Sequence, residues 1–270
     1  GHPMKVLLID VARCSGCTNC QLACKDEHCG NDWRPYAAAQ PMTGQFWCKV
    51  NEHVRGTIPK VRIHYISMQC AHCQNAPCAK ACTADAIRTR EDGLVLIDPE
   101  RCTGCGACAK ACPIDAIYMN EAERIAQKCT GCAHLLDNGL EKPRCVEACP
   151  TDAMRLIDES ELPENAVSAV DPAFGGRLYH INIPGRFIGG LLYDPVEKEV
   201  IIGASCTLRG ETGERQTATD SYGDFWFRDL PESVFRLTIE APGYAPLHFE
   251  NLDTHNDINL GDIPAKRVVS

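Results

Sequence analysis

Sixteen cysteines gathered into four short runs constrain this chain more than any other feature of its sequence. The first run is Cys14, Cys17, Cys20 and Cys24, and the second is Cys70, Cys73, Cys78 and Cys82. The third is Cys102, Cys105, Cys108 and Cys112, followed by Pro113. The fourth is Cys129, Cys132, Cys145 and Cys149, followed by Pro150. Runs one and three share the spacing C-x2-C-x2-C-x3-C. Run two carries two extra residues before its third cysteine, and run four a longer insertion there, "AHLLDNGLEKPR".

Two ordinary readings fit this pattern poorly. A disulfide framework scatters its cysteines through a small secreted chain. A structural zinc site needs two Cys-x-x-Cys-type pairs at a longer separation. Three thiols two residues apart suit the corners of an iron–sulfur cubane approached from one short loop. The fourth, three residues on, leads away along a helix and reaches a second cubane supplied by another run, as in bacterial ferredoxins; Pro113 and Pro150 stand where that motif has its proline. Cys29, Cys48 and Cys206 fall outside every run and read as small buried hydrophobes.

An internal repeat bears on which runs share clusters. "LLIDVARC" (Leu7–Cys14) before run one matches "VLIDPERC" (Val95–Cys102) before run three. Runs two and four share another style, with Gln near the first cysteine and a proline just before the third, in "APC" and "PRC". "TADAI", "PIDAI" and "PTDAM" follow runs two, three and four. A two-cluster unit combines one run of each style. Runs two and three, as neighbours, form one unit, and the flanking runs one and four form the other. Four ligand sets follow: Cys14, Cys17, Cys20 and Cys149; Cys24, Cys129, Cys132 and Cys145; Cys70, Cys73, Cys78 and Cys112; Cys82, Cys102, Cys105 and Cys108. In that order they are the first, second, third and fourth sets. The alternative is consecutive pairing, one with two and three with four.

Four clusters with four thiolates each leave no iron open to a substrate, and the chain shows no other catalytic constellation. The expectation is a subunit that relays single electrons and is not an enzyme on its own. Lys25, Lys80, Lys110, Lys128, Arg101 and Arg144 lie near cluster cysteines, where positive charge offsets anionic clusters. His72 and His134 lie beside cluster loops and read as packing or hydrogen-bonding residues. A net charge of −9, from 36 acids against 27 bases, argues against nucleic acid. No apolar stretch approaches membrane-spanning length, and the N-terminal residues lack a secretory core. The expected location is cytoplasmic or peripheral to a membrane, with export beside a signal-bearing partner as the alternative.

The order of the runs, including the insertion in run four, resembles the iron–sulfur electron-transfer subunits of molybdopterin oxidoreductases. Further stretches, "CKDEHCGNDWRPY" (Cys24–Tyr36), "RGTIPKVRIHY" (Arg55–Tyr65), "CAHCQNAPC" (Cys70–Cys78), "REDGLVLIDPE" (Arg90–Glu100) and "AQKCTGCAHLLD" (Ala126–Asp137), resemble the branch containing the small subunits of pyrogallol–phloroglucinol transhydroxylase and related phenolic hydroxylases and dehydroxylases. The resemblance implies crossing of fourth cysteines between runs one and four and between two and three, which agrees with the sets above. It implies a large catalytic subunit as partner, in a heterodimer or higher multiple, which carries a molybdenum or tungsten pterin and communicates with a further electron donor or acceptor. The transhydroxylase branch has lost one cluster, whereas all sixteen cysteines are present here. That favours a phenolic-ring hydroxylase or reductive dehydroxylase over a strict transhydroxylase. The alternatives are a free polyferredoxin shuttle and a subunit of another molybdopterin reductase acting on sulfur compounds or on S- or N-oxides.

The chain changes character after the cysteine runs. Residues 158–176 are acidic, with prolines and paired glycines, and read as a linker. Beyond them, short runs such as "RFIGGLLYD" and "FRLTIEAPGY" alternate between β-formers and turns, the pattern of a small β-sandwich. The stretch Ile188–Asp262 resembles carboxypeptidase-regulatory or transthyretin-like domains. His180, His248 and His255 are too dispersed for a metal site and read as surface histidines. The expected fold is α+β: two pseudo-symmetric bacterial ferredoxin-like two-cluster units over 1–157, with an insertion at 25–69, then the linker and a β-sandwich over 177–270.

Overall fold

A computed structural model describes residues 4–268. The chain divides into two compact units. The first runs up to His53 and resumes over His64–Ile183; the second combines Val54–Ile63 with the chain from Pro184 onward.

The first unit is made of short pieces. Strand β1 (Lys5–Asp10) leads into the first cysteine loop and helix α1 (Asn19–His28). A hairpin follows, β2 (Cys48–Thr57) and β3 (Lys60–Gln69), whose tip belongs to the second unit. Then come α2 (Pro77–Lys80), β4 (Ile87–Thr89), β5 (Val95–Ile97), α3 (Ala107–Ala111), β6 (Ile117–Asn120) and β7 (Ile125–Lys128). Helices α4 (Ala133–Asp137) and α5 (Arg144–Glu147) precede β8 (Met154–Asp158), β9 (Val167–Ser168) and β10 (Leu178–Ile181). Four of the five helices span only four or five residues. Helices this short do not persist by propensity and depend on what they pack against.

The repeat seen in sequence recurs in the backbone. Asp10 accepts the N–H of Ala12, and Asp98 accepts that of Glu100, so each repeat turns out of its strand on the same Asx turn. Strand β1 pairs antiparallel with β8, which follows run four; β5 pairs antiparallel with β4, which follows run two. A third pair joins β6 to β7. Strand β10 adds to β1 in parallel and carries β9 at the sheet edge.

This arrangement departs from the expected boundaries. The span 158–176 includes β9 and two 3-10 turns, and β10 returns the chain to the first unit up to Ile183. The pairing of Leu7 to Asp10 with Leu178 to Ile181 is long-range, and no local turn signal announces it. His180 on β10 is 4% exposed and bonds the Ser67 carbonyl through Nε2 at 2.9 Å, so it is not a surface histidine. His248 and His255 are exposed.

The second unit contains β11 (Arg186–Asp194), β12 (Glu199–Val200), β13 (Ser205–Gly210) and β14 (Gly213–Ala218). It continues with β15 (Asp224–Leu230), β16 (Val234–Glu240), β17 (Leu247–Asp253) and β18 (Ile258–Pro264). Strand β11 pairs with β12, β15 and β18; the other sheet runs β14-β13-β16-β17. Alternation buries one face of each sheet. Ile188, Phe225 and Phe227 from one sheet meet Cys206, Leu208, Leu237 and Ile239 from the other in a shared core. The turn before β15 is built by Asp220, which accepts the N–H groups of Tyr222 and Asp224. The hairpin tip joins this unit through Lys60, which is 3% exposed, paired with Asp224 and placed over the Trp226 ring.

Candidate iron–sulfur centres

The cysteine loops share one backbone device. The residue before the second cysteine is Gly16, Gly104 and Gly131 in runs one, three and four, with φ of 71°, 69° and 64°. A left-handed residue there lets each loop curl so that its cysteines face inward. In run two the same position holds His72, at φ 44°. After the fourth cysteine of runs two, three and four, Asp85, Asp115 and Asp152 are also left-handed. In runs two and three this aims the next N–H back at sulfur: Ala86 donates to Cys82 Sγ at 3.4 Å and Ala116 to Cys112 Sγ at 3.3 Å. The N–H groups of His72, Ala126 and Gly131 donate to Cys70, Cys102 and Cys129 at 3.3–3.4 Å.

Cysteines distant in sequence come together. Cys70, Cys73, Cys78 and Cys112 line one cavity, with Val95 and Ile117 among its apolar walls. Cys82, Cys102, Cys105 and Cys108 line another. Cys24, Cys129, Cys132 and Cys145 border a cavity of about 200 Å³, together with Cys48, Cys70, His28 and His72. Around Cys14, burial pushes the thiol up, and the neighbouring thiols of Cys20, Cys149 and Cys17 add to the rise. Burial also pushes Cys73, Cys108 and Cys129 up to about 11 and Cys132 to about 12. A thiol raised in this way stays protonated at neutral pH unless a metal binds its sulfur and displaces the proton.

The spacing of these donors bears on what they hold. Among the described residues, no three His, Cys, Asp or Glu side chains gather closely enough to hold one metal ion. The thiols instead ring cavities, with peptide N–H groups trained on their sulfurs. Soft thiolates around an apolar cavity, with N–H donors to sulfur, fit a polynuclear iron–sulfur group.

Several neighbours were not legible as site residues. Cys48, the first residue of β2, is 1% exposed; it hydrogen-bonds Ser67 at 3.5 Å and faces the thiols of Cys20 and Cys145. It therefore lies between the first and second sets, where the sequence suggested a plain buried hydrophobe. Cys206 is buried in the sandwich core, whereas Cys29 is only half-buried beside Met42. His28 is 1% exposed, lies 4.0 Å from Cys132 Sγ and is held down to about 3 by burial. His134 bonds Glu27 at 3.0 Å and stacks on Trp33, and Trp47 is buried against His28. An i,i+4 relation between Cys24 and His28 on α1 was the available signal for His28.

The six basic residues separate by burial. Lys80, Lys110 and Arg101 are exposed; Lys25 is half-buried and bonds the carbonyls of Pro41 and Gly44. Arg101 pairs with Asp85, and Arg144 with Glu27 and Glu147. Lys128 alone is buried, at 3% exposure.

A model of a 4Fe–4S dicluster domain matches residues 61–159, and one of a carboxypeptidase regulatory-like domain matches 188–261. The pyrogallol hydroxytransferase small subunit of Pelobacter acidigallici is 34% identical over 88% of this chain and 90% of its own. The chain belongs to the family of iron–sulfur subunits of molybdopterin oxidoreductases. Within that family, a putative dimethyl sulfoxide reductase iron–sulfur subunit of Halobacterium salinarum is 36% identical over 60% of this chain and 68% of its own. The corresponding polypeptide of the anaerobic dimethyl sulfoxide reductase of Escherichia coli is 34% identical over 61% and 79%. The chain is accordingly an iron–sulfur electron-transfer subunit of such an enzyme, not its catalytic one. Among solved structures, the shaft pilin SpaA of Lactobacillus rhamnosus GG, 13% identical, aligns over 34% of this chain and 49% of its own with a TM-score of 0.26, too weak a likeness to bear on fold. No helix among the described residues is long and apolar enough to cross a membrane.

Proposed function

We propose that this subunit holds four 4Fe–4S clusters and exchanges electrons with a large molybdenum or tungsten pterin subunit acting on a phenolic ring. The observation that carries the reading is the gathering of cysteines from separate runs around shared cavities with N–H groups aimed at sulfur. Bound clusters of this type supply one-electron transfer. Cys14, Cys17, Cys20 and Cys149 would hold one; Cys24, Cys129, Cys132 and Cys145 a second; Cys70, Cys73, Cys78 and Cys112 a third; Cys82, Cys102, Cys105 and Cys108 a fourth. The pairings of β1 with β8 and of β4 with β5 support two nested units, runs one with four and two with three.

The sets adjoin in one order. Cys48 connects the first with the second through Cys20 and Cys145. Cys129 of the second set feels the charge of Cys70 in the third, and Cys108 of the fourth that of Cys78 in the third. Of the sixteen, Cys17 and Cys105 are the exposed cysteines, and they belong to the first and last sets. A row with an exposed thiol at each end suits a relay whose partners dock at its two ends.

The phenolic class is favoured by coverage. Similarity to the hydroxytransferase small subunit spans 88% of the chain, while that to the dimethyl sulfoxide reductase subunits spans 60–61%. Purification with the native partner tests the whole reading. The expected result is about sixteen irons on this chain with molybdenum or tungsten on the other, if each set holds one 4Fe–4S cluster. Zinc in place of iron would refute it. Turnover of S-oxides but not of hydroxylated benzenes would remove the phenolic assignment, and a lone chain in native extract would favour a free shuttle.

A further inference from the structure

Two buried polar side chains meet at Val95 in the first unit. Lys128 ends β7, and its ammonium donates to the Val95 carbonyl and, at 3.1 Å, to the Cys129 carbonyl. Its 3% exposure leaves it cut off from water, and among the described residues its hydrogen-bond partners are these two carbonyls, with no carboxylate in salt-bridge range. A buried cation without a counter-charge costs several kcal/mol or more. Lys128 acts on thiols of two sets, Cys129 in the second and Cys78 in the third.

His72 uses the other half of the same residue. Its Nδ1 accepts the Val95 N–H at 3.0 Å. A neutral ring that accepts at Nδ1 carries its proton on Nε2. That Nε2 is buried and has no partner among the described residues, and the ring borders the cavity of Cys24, Cys129, Cys132 and Cys145. The backbone marks the position as well. Runs one, three and four place glycine there, and only run two forces a side chain into the left-handed region. A non-glycine residue in that region costs of order 1 kcal/mol or more, which points from the outlier to a use for the side chain.

We propose that Lys128 and His72, both anchored on the backbone of Val95, raise the reduction potentials of the two middle clusters. The proposal rests on the four-cluster reading above. Reduction adds negative charge to a cluster, so a fixed ammonium beside two thiolate sets and an N–H donor facing one of them both favour the reduced form. Lys128 acts on both middle sets and His72 on the second.

The test is an EPR-monitored redox titration of the native complex with iron counted on each sample. In Lys128→Met, two of the four midpoints are expected to fall by at least tenfold in the reduction equilibrium, about 59 mV for one electron. The other two stay in place. Lys128→Arg, which keeps the charge, is expected to restore both. In His72→Gly, which adopts the backbone of the other three runs, one midpoint falls and iron is retained. Full iron with four unshifted midpoints in Lys128→Met and His72→Gly overturns this inference and leaves the four-cluster reading standing. If Lys128→Met does not load iron, His72→Gly decides alone. A wild-type complex without the expected iron refutes the underlying reading instead.

Discussion

The two units are held together in opposite ways. The second is a sandwich whose interior is Phe225, Phe235, Leu237, Ile239 and their neighbours, with β strands of six to nine residues supplying most of its backbone pairing. The first has four helices of about one turn beside the ten-residue α1, strands of two to six residues outside the hairpin, and two apolar clusters that include cysteines of the sets themselves. One unit folds around hydrocarbon, and the other has arranged its chain around what its thiols hold. Short helices and three-residue strands bring little stability of their own, so bound clusters are expected to contribute to the folding of the first unit.

That contrast is open to attack, beginning with the largest effect. Stripping iron from the native protein should abolish the cooperative transition of the first unit while the strand circular-dichroism signal of the second persists. A single transition unchanged by iron removal would mean that the first unit stands on packing alone. Cys112→Ala is next. Iron is expected to fall by about a quarter if each set holds one 4Fe–4S cluster, with the loss confined to the set of Cys70, Cys73 and Cys78. Loss of the fourth set with retention of the third would reverse the assignment of crossed ligands.

The converse experiment targets the sandwich. Leu237, 1% exposed, lies at the centre of the second core, and Leu237→Ala should cost about 2–5 kcal/mol in the transition of that unit. Iron content and midpoints should not move; a loss of iron would show that the cluster sets lean on the sandwich. The smallest effect concerns surface charge on the first unit. Hydrogen bonds from Arg90, and then from Tyr36, hold the Asp137 carboxyl down to about 2. A carboxyl lowered on folding stabilises above its unfolded value of about 3.9 and loses that contribution as pH falls through its folded value. The side chain is 39% exposed, so solvent screening limits the contribution to under ~1 kcal/mol. Asp137→Asn should therefore lower stability slightly at neutral pH, with the difference from wild type closing towards pH 2. A larger loss would give surface ion pairs a share of the stability assigned here to the thiols.

Much of the local structure was legible because it is decided within a few residues. The Asp10 and Asp98 turns follow from the repeated Leu-Ile-Asp, and β11 coincides with the alternating stretch Arg186–Asp194. The span Ile188–Asp262 read as a regulatory-like sandwich, and the family model covers 188–261. The bounds of the first unit were less legible. Strand β10 joins β1 across the whole unit, and the hairpin tip 54–63 belongs with the sandwich, because β-pairing and burial depend on residues far apart in the chain.

The six basic residues each stood within two positions of a cysteine in the sequence, and spacing alone had no means to say which would be buried. Tertiary packing placed Lys128 inside and left Lys80, Lys110 and Arg101 in solvent. It likewise set Cys48 between two sets of thiols and turned His72 Nδ1 onto Val95. By itself the sequence determined the chemistry, since thiol spacing in a loop is a local property. Which charges and donors face those thiols was decided only by the fold, since electrostatic influence depends on burial and distance, and both are sums over the whole structure.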